Sequence, residues 1–174
     1  MLVKDADGKI VWHLAACRVY EEGLENLWVW AGEAHLNLKV DVFLCKNNYG
    51  QTAWHLAVQQ GYKDLLEKMW DFARGVQIRL KDDLLLAKNK YEETALHIAS
   101  YCGYEEISEK LWFWEREVHL NISGDLLARD NNGQSACCIN IGAVDEGFFF
   151  FFFFSFFFFF FKESTLCPIQ TQPN

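Results

Sequence analysis

A short string, His-Leu-Ala or its near copy His-Ile-Ala, returns at one fixed distance along this chain. It stands at His13-Leu14-Ala15, His55-Leu56-Ala57 and His97-Ile98-Ala99, 42 residues apart each time. A long fixed period means similar units laid side by side, each covering its neighbour's apolar face, rather than one chain wrapped round one centre. Turn strings mark where the units begin: Asp5-Ala6-Asp7-Gly8, Asn47-Asn48-Tyr49-Gly50, Asn89-Lys90-Tyr91-Glu92 and Asp130-Asn131-Asn132-Gly133. Asn, Asp and Gly favour tight turns because they tolerate left-handed backbone or bond locally to it. The units therefore run over about 5–46, 47–88 and 89–129, with a partial fourth at 130–145.

Within a unit the pattern predicts two helices. The first is short, over about 11–19, 53–60 and 95–102, and stops near Gly61 and Gly103, which suit a left-handed end. Thr52, Thr94 and Ser135 precede these helices, where a hydroxyl can take up a free N–H. Ile10 fills that slot in the first unit and cannot do so, which predicts a frayed first unit. The second helix carries one apolar stripe: Leu24, Leu27, Ala31 and Ala34, then Leu66, Met69, Ala73 and Val76, then Ile107, Leu111, Trp114 and Val118. All seven tryptophans fall in repeated slots. Trp28, Trp70 and Trp112 form one column, Trp12 and Trp54 share another with Leu96, and Trp30, Phe72 and Trp114 form a third. Aromatics recurring in register are expected to pack between units rather than to stack on a base or ligand.

At these residues the chain resembles the ankyrin-repeat family, whose signature is T-P-L-H-x-A at a period of about 33 residues. The matching strings are Thr52-Ala53-Trp54-His55-Leu56-Ala57 and Thr94-Ala95-Leu96-His97-Ile98-Ala99, with Gly61-Tyr62 and Gly103-Tyr104 closing the short helix. The resemblance covers about 5–143 and implies an all-α solenoid of stacked helix-turn-helix units joined by hairpin-like loops. It also implies that His13, His55 and His97, with Thr52 and Thr94, are structural, hydrogen-bonding around the hairpin–helix junction. Two features depart from the family. Alanine replaces the signature proline at Ala53, Ala95 and Ala136, which preserves a good helix former. The surplus of about nine residues per unit falls after the second helix, at 33–42, 75–84 and 117–125, and is expected to extend that helix and lengthen the loop after it. The fourth unit degrades after Ala136, where Cys137-Cys138-Ile139-Asn140 replaces the aromatic, His, Leu and Ala.

Composition narrows the function. A formal charge of −8 with no Lys/Arg cluster argues against a nucleic-acid partner. The six cysteines (Cys17, Cys45, Cys102, Cys137, Cys138, Cys167) neither repeat with the units nor show metal-ligand spacing, so neither disulfides nor metal is expected. The N-terminus lacks a secretory signal's apolar run, so an intracellular site, cytoplasmic or nuclear, is expected. The five histidines fill two repeat columns, 13, 55, 97 and 35, 119, with Gln77 between the latter pair. A catalytic histidine is normally unique, and no phosphate loop, HExxH or CxxC occurs, so neither enzyme nor cofactor is expected. The carboxylate pairs at Glu21-Glu22, Asp82-Asp83, Glu92-Glu93 and Glu105-Glu106 lie in turns, linkers or helix starts, as solvated charge.

The leading expectation is a non-enzymatic module that binds another protein. Its candidate contacts are the hairpin tips Asn48, Tyr49, Lys90, Tyr91, Asn131 and Asn132, and the short-helix face at Arg18, Gln59, Gln60 and Tyr101. Tyr49 and Tyr91 stand out, because an aromatic on a rigid turn gives contact area at low entropic cost. The acidic balance favours a basic partner surface. Thirteen of sixteen phenylalanines lie in one tract, 148–161, broken only by Ser155. As a helix it would span ~21 Å, short of the ~30 Å hydrocarbon core. It reads as a homopolymeric codon run or read-through artefact, and as an aggregation hazard if translated. The alternatives are a membrane-attached ankyrin protein anchored by this tract, with membrane contact the minor expectation, and a truncated piece of a longer array. The tail 162–174 is expected to be disordered.

Overall fold

Three helical pairs follow the three full turn strings in the computed structural model, which describes residues 3–18, 21–34, 36–76, 79–118 and 128–136. All of these belong to one compact unit, Met1–Asn140; a second, Ile141–Asn174, lies outside the described residues. So do the Phe tract, the tail, the degenerate sequence from Cys137 onward, and His35, Gln77 and His119.

Each turn is built by its first residue. The side-chain oxygens of Asp5, Asn47, Asn89 and Asp130 each accept the backbone N–H groups two and four residues on, at 2.7–3.0 Å. Short polar side chains fold the hairpin from within, as the turn strings imply. The fourth turn residue has positive φ throughout. It is glycine at Gly8, Gly50 and Gly133, with φ of 71–74°, but Glu92 at 62° in the third unit. A side chain in left-handed backbone is strained by about 1–2 kcal/mol. Glu92→Gly is therefore expected to raise stability by about 0.5–1 kcal/mol after the extra chain entropy of glycine is subtracted. Urea unfolding checks this; a loss of stability would mean that the exposed Lys88–Glu92 ion pair, at 3.0 Å, outweighs the strain. Successive tips are also tied together, because the amides of Asn48, Lys90 and Asn131 donate to the carbonyls of Asp7, Tyr49 and Tyr91 at 2.9–3.1 Å.

The first helices are α1 (Val11–Cys17), α4 (Ala53–Gln60) and α6 (Ala95–Cys102), and α4 lies between the other two. Gly61 and Gly103 end α4 and α6 in left-handed backbone, as expected. At each start the histidine closes the junction. His55 Nε2 lies 2.9 Å from the Ala87 carbonyl, so it must carry the proton, and Nδ1 is then left to accept from the Thr52 N–H (3.2 Å) and hydroxyl (2.8 Å). The ring thus takes up the free helix-start donor, the place a Glu or Gln holds in an ordinary capping box. The same bonds join His97 to Thr94 and to the Ala128 carbonyl at 3.0 Å, whereas His13 accepts from the Ile10 N–H and meets a carbonyl in a different repeat slot, that of Gln51, at 3.2 Å. Ile10 does not leave α1 frayed. It is buried in the core cluster, and its N–H is taken up by His13. Burial replaces the missing hydroxyl.

The second helices are α2 (Glu21–Ala34), α5 (Lys63–Arg74) and α7 (Glu105–Val118). Their tryptophans form a ladder with a fixed offset. Trp28 of unit one stacks on Phe72 of unit two at 4.8 Å and 15°, and Trp70 of unit two stacks on Trp114 of unit three at 4.8 Å and 14°. The Trp28 column therefore gives a ring and the Trp30 column receives one. Trp30, first in the receiving column, is 56% exposed, which corrects the expectation that all seven tryptophans pack between units. Trp112, last in the giving column, is half-buried with the Arg116 guanidinium over its ring. Ion pairs repeat in the same sense, Lys68–Glu25 and Lys110–Glu67 at 2.7 and 3.0 Å. At this exposure each adds about 0–1 kcal/mol, so the rings carry the interface.

In units one and two the surplus residues do not extend the second helix; those of unit three beyond Val118 lie outside the described residues. In unit one they form a separate helix, α3 (Leu36–Leu44), and in unit two a short π-helix (Leu80–Leu85). Both insert apolar side chains beneath the pair. Val42 and Phe43 are buried, Phe43 lies 6.0 Å from both Trp12 and Trp28, and Leu84 and Leu85 are buried in the same two slots one unit on. The surplus thickens the core instead of lengthening an exposed helix.

Candidate functional site

Two columns of polar side chains face each other across the stack. One comes from the residue after each positive-φ position, Gln51, Glu93 and Gln134, and the other from the short-helix face, Gln59 and Tyr101. They line a groove of about 470 Å³, together with Tyr91, Ile98, Cys102 and Asn132. The hydrogen bonds show why the walls hold their places. Gln51 Nε2 donates to Gln59 Oε1 at 3.5 Å, and the Tyr101 hydroxyl bonds the Asp130 carboxylate and, at 2.9 Å, Gln134 Oε1. The Asp130 bond, more than burial, raises the Tyr101 phenol above its ordinary range and keeps it neutral. Desolvation, and then the Glu93 charge, raises the Cys102 thiol and keeps it neutral too. Apart from the Glu93 carboxylate, the lining is thus neutral hydrogen-bonding surface, with the Tyr91 and Tyr101 rings as aromatic anchors.

The expected contact residues fall into four groups, with Tyr91 shared by two. Gln59, Tyr91, Tyr101 and Asn132 come together in the groove. Tyr49, Lys90 and Tyr91 form a cluster on the tips, with Lys90 Nζ 4.0 Å from the Tyr49 centroid and 5.0 Å from that of Tyr91. The Asn48 and Asn131 amides are engaged within the stack, donating to the Ala6 and Lys90 carbonyls of the preceding tips at 3.0 and 3.4 Å. Gln60 and Arg18 are exposed but do not line the groove. Sequence reasoning missed Gln51, Glu93 and Gln134. Their signal was present, since all three occupy one repeat slot and are polar there, but a polar column on a repeat reads first as a solvated edge.

No group of His, Cys, Asp and Glu that could hold a metal ion occurs among the described residues. No described helix is long and apolar enough to cross a membrane. No curated protein matches the chain. A family model for ankyrin repeats, in three copies, matches residues 2–123. That span contains the three helical pairs, the three clip histidines and both ring stacks described above. The chain belongs to the ankyrin-repeat family, whose repeats are generally non-enzymatic scaffolds for protein–protein interaction.

Proposed function

We propose that residues 1–145 act as a non-enzymatic binding array whose groove grips an extended segment of another protein, without cofactor or nucleic acid, in the cytoplasm or nucleus. The observation that carries this reading is the convergence of Gln51, Gln59, Tyr91, Tyr101 and Gln134 on one open surface whose charged group is Glu93. Amides on both walls offer donors and acceptors to a peptide backbone, and the two tyrosines, each about half exposed, offer contact area. Tyr49, held over Lys90 on the tips, extends the surface beyond the groove. Glu93 and the acidic chain favour a segment with basic side chains.

Selection of displayed peptides against the full chain, followed by fluorescence polarisation on those recovered, tests this. Tyr91→Ala is expected to weaken binding roughly tenfold or more, and Gln59→Ala less, with the helical signal unchanged. Binding of equal strength in both variants would place the partner site elsewhere.

A further inference from the structure

Unit three differs from its neighbours at the slots that face the groove. The slot of Glu93 holds Lys9 in unit one and the neutral amides Gln51 and Gln134 in units two and four. The slot of Tyr91 holds Asp7, Tyr49 and Asn132, and that of Tyr101 holds Cys17 and Gln59. Among the described slots, unit three alone joins a carboxylate to one aromatic ring on the tip and another on the short helix. All three side chains line the same cavity of about 470 Å³.

The turn does not require this charge. Asn89 Nδ2 donates to Glu93 Oε2 at 2.7 Å, and in unit two Asn47 Nδ2 makes the same bond to the neutral Gln51 Oε1 at 3.3 Å. An amide therefore serves the hairpin as well as a carboxylate. Nor does a cation balance Glu93 among the described residues. Of the lysines in its own turn, Lys88 pairs with Glu92 at 3.0 Å, and Lys90 lies over the Tyr49 and Tyr91 rings. Glu93 is half-buried, and the bond from Asn89 leaves lone pairs open on it. Its field reaches into the groove, where, after burial, it is the charge that raises the Cys102 thiol.

We propose that Glu93, together with the rings of Tyr91 and Tyr101, is a socket for one arginine side chain of the bound segment and decides which segments the groove accepts. This rests on the reading of the groove as a peptide site and adds the side chain that it selects. A guanidinium donates two parallel hydrogen bonds to a carboxylate, and its flat, weakly hydrated face stacks on aromatic rings. A lysine ammonium is a compact, strongly hydrated point charge and uses the rings less well. The Tyr101 ring is already held, because its hydroxyl bonds Asp130 and Gln134, so seating a cation there costs little further order. The register follows from the slots. Unit one carries the cation Lys9 where unit three carries Glu93, so the arginine seats at unit three, and the rest of the segment runs along the Gln51 and Gln59 amides of unit two.

The test uses the full chain and, as probe, a library of displayed random peptides. Those recovered are expected to share an arginine. Replacing that arginine by citrulline, which keeps its shape and removes its charge, is expected to weaken binding roughly tenfold in fluorescence polarisation. Glu93→Gln is expected to weaken it as much, and the two losses are expected not to add, because they remove the same contact. Lysine in place of the arginine is expected to fall between. The helical signal of Glu93→Gln is expected to match the native chain, since Gln51 already fills that slot one unit earlier. Gln59→Ala, on the amide wall outside the socket, marks occupancy of the groove. Peptides that Gln59→Ala weakens but that lack a common arginine, or that bind Glu93→Gln as tightly as the native chain, overturn the socket and leave the groove standing. Recovery of no peptide, or of peptides indifferent to Gln59→Ala, Tyr91→Ala and Glu93→Gln alike, overturns both.

Discussion

Trp70→Ala is expected to lower the unfolding free energy by about 3–5 kcal/mol, the range for a buried large aromatic replaced by alanine. Trp70 is 3% exposed and sits in a three-ring cluster. It stacks on Trp114 at 4.8 Å and meets Trp54 at 6.4 Å, and those two rings lie 5.7 Å apart. Removing it strips a neighbour from both at once, one in its own unit and one in the next. A stack joined only by nearest-neighbour contacts has no remote core to compensate. Trp30→Ala removes the same chemistry at a 56% exposed site and is expected to cost about 1 kcal/mol or less. Urea unfolding followed by far-UV circular dichroism measures both. Near-equal losses for the two variants would mean that the ring ladder is not what joins the units.

Lowering the pH from 7 to 4 is expected to remove about 3 kcal/mol of stability through His55 alone. Complete burial pushes this ring down to about 4; the Lys46 charge adds to the shift, and the Ala87 carbonyl opposes it. Above pH 6.5 the ring is neutral in both states, and its contribution is complete. Below that the unfolded chain takes up a proton that the folded ring refuses, so stability falls until the pH reaches about 4. The direction agrees with the hydrogen bonds, because a proton on Nδ1 would face the Thr52 N–H. Burial lowers His13 and His97 in the same direction, so the three histidine clips weaken together. Urea midpoints at pH 7.5, 5.5 and 4.0 give the slope. His55→Gln is expected to flatten it, separating the ring from carboxylates that titrate near pH 4. Unchanged midpoints across this range would mean that the ring is solvated in the folded state.

The features legible in the sequence are those fixed by local chemistry repeated in register. Asn47, Asn89 and Asp130 fold the turns through their own side chains, and Gly61 and Gly103 stop the short helices. The bounds 53–60 and 95–102 follow from those two signals. The fate of the surplus residues was not legible. Positions 36–44 and 80–85 are apolar enough to continue a helix, and only packing decides that Phe43 and Leu85 turn under the unit instead. The aromatic columns were visible, but their offset was not, because it depends on the spacing between units. That offset is why Trp30, in a repeated slot, is nonetheless exposed. The Ile10 reading failed for a related reason: a missing hydroxyl is a local deficit, and tertiary burial offset it. In the candidate groove the two tyrosines and Gln59 were readable as exposed side chains on rigid elements. Gln51, Glu93 and Gln134 were not, because nothing local distinguishes a polar column facing a groove from one facing bulk water.

The central claim is that consecutive units lie side by side with the ring of one stacked on the ring of the next. A double-mutant cycle on Trp28→Leu and Phe72→Leu tests it most directly, because the two side chains belong to different units and are far apart in sequence. Stacking at 4.8 Å predicts a coupling free energy of about 0.5–1.5 kcal/mol between them. Losses that simply add, with no coupling beyond error, would contradict the stack.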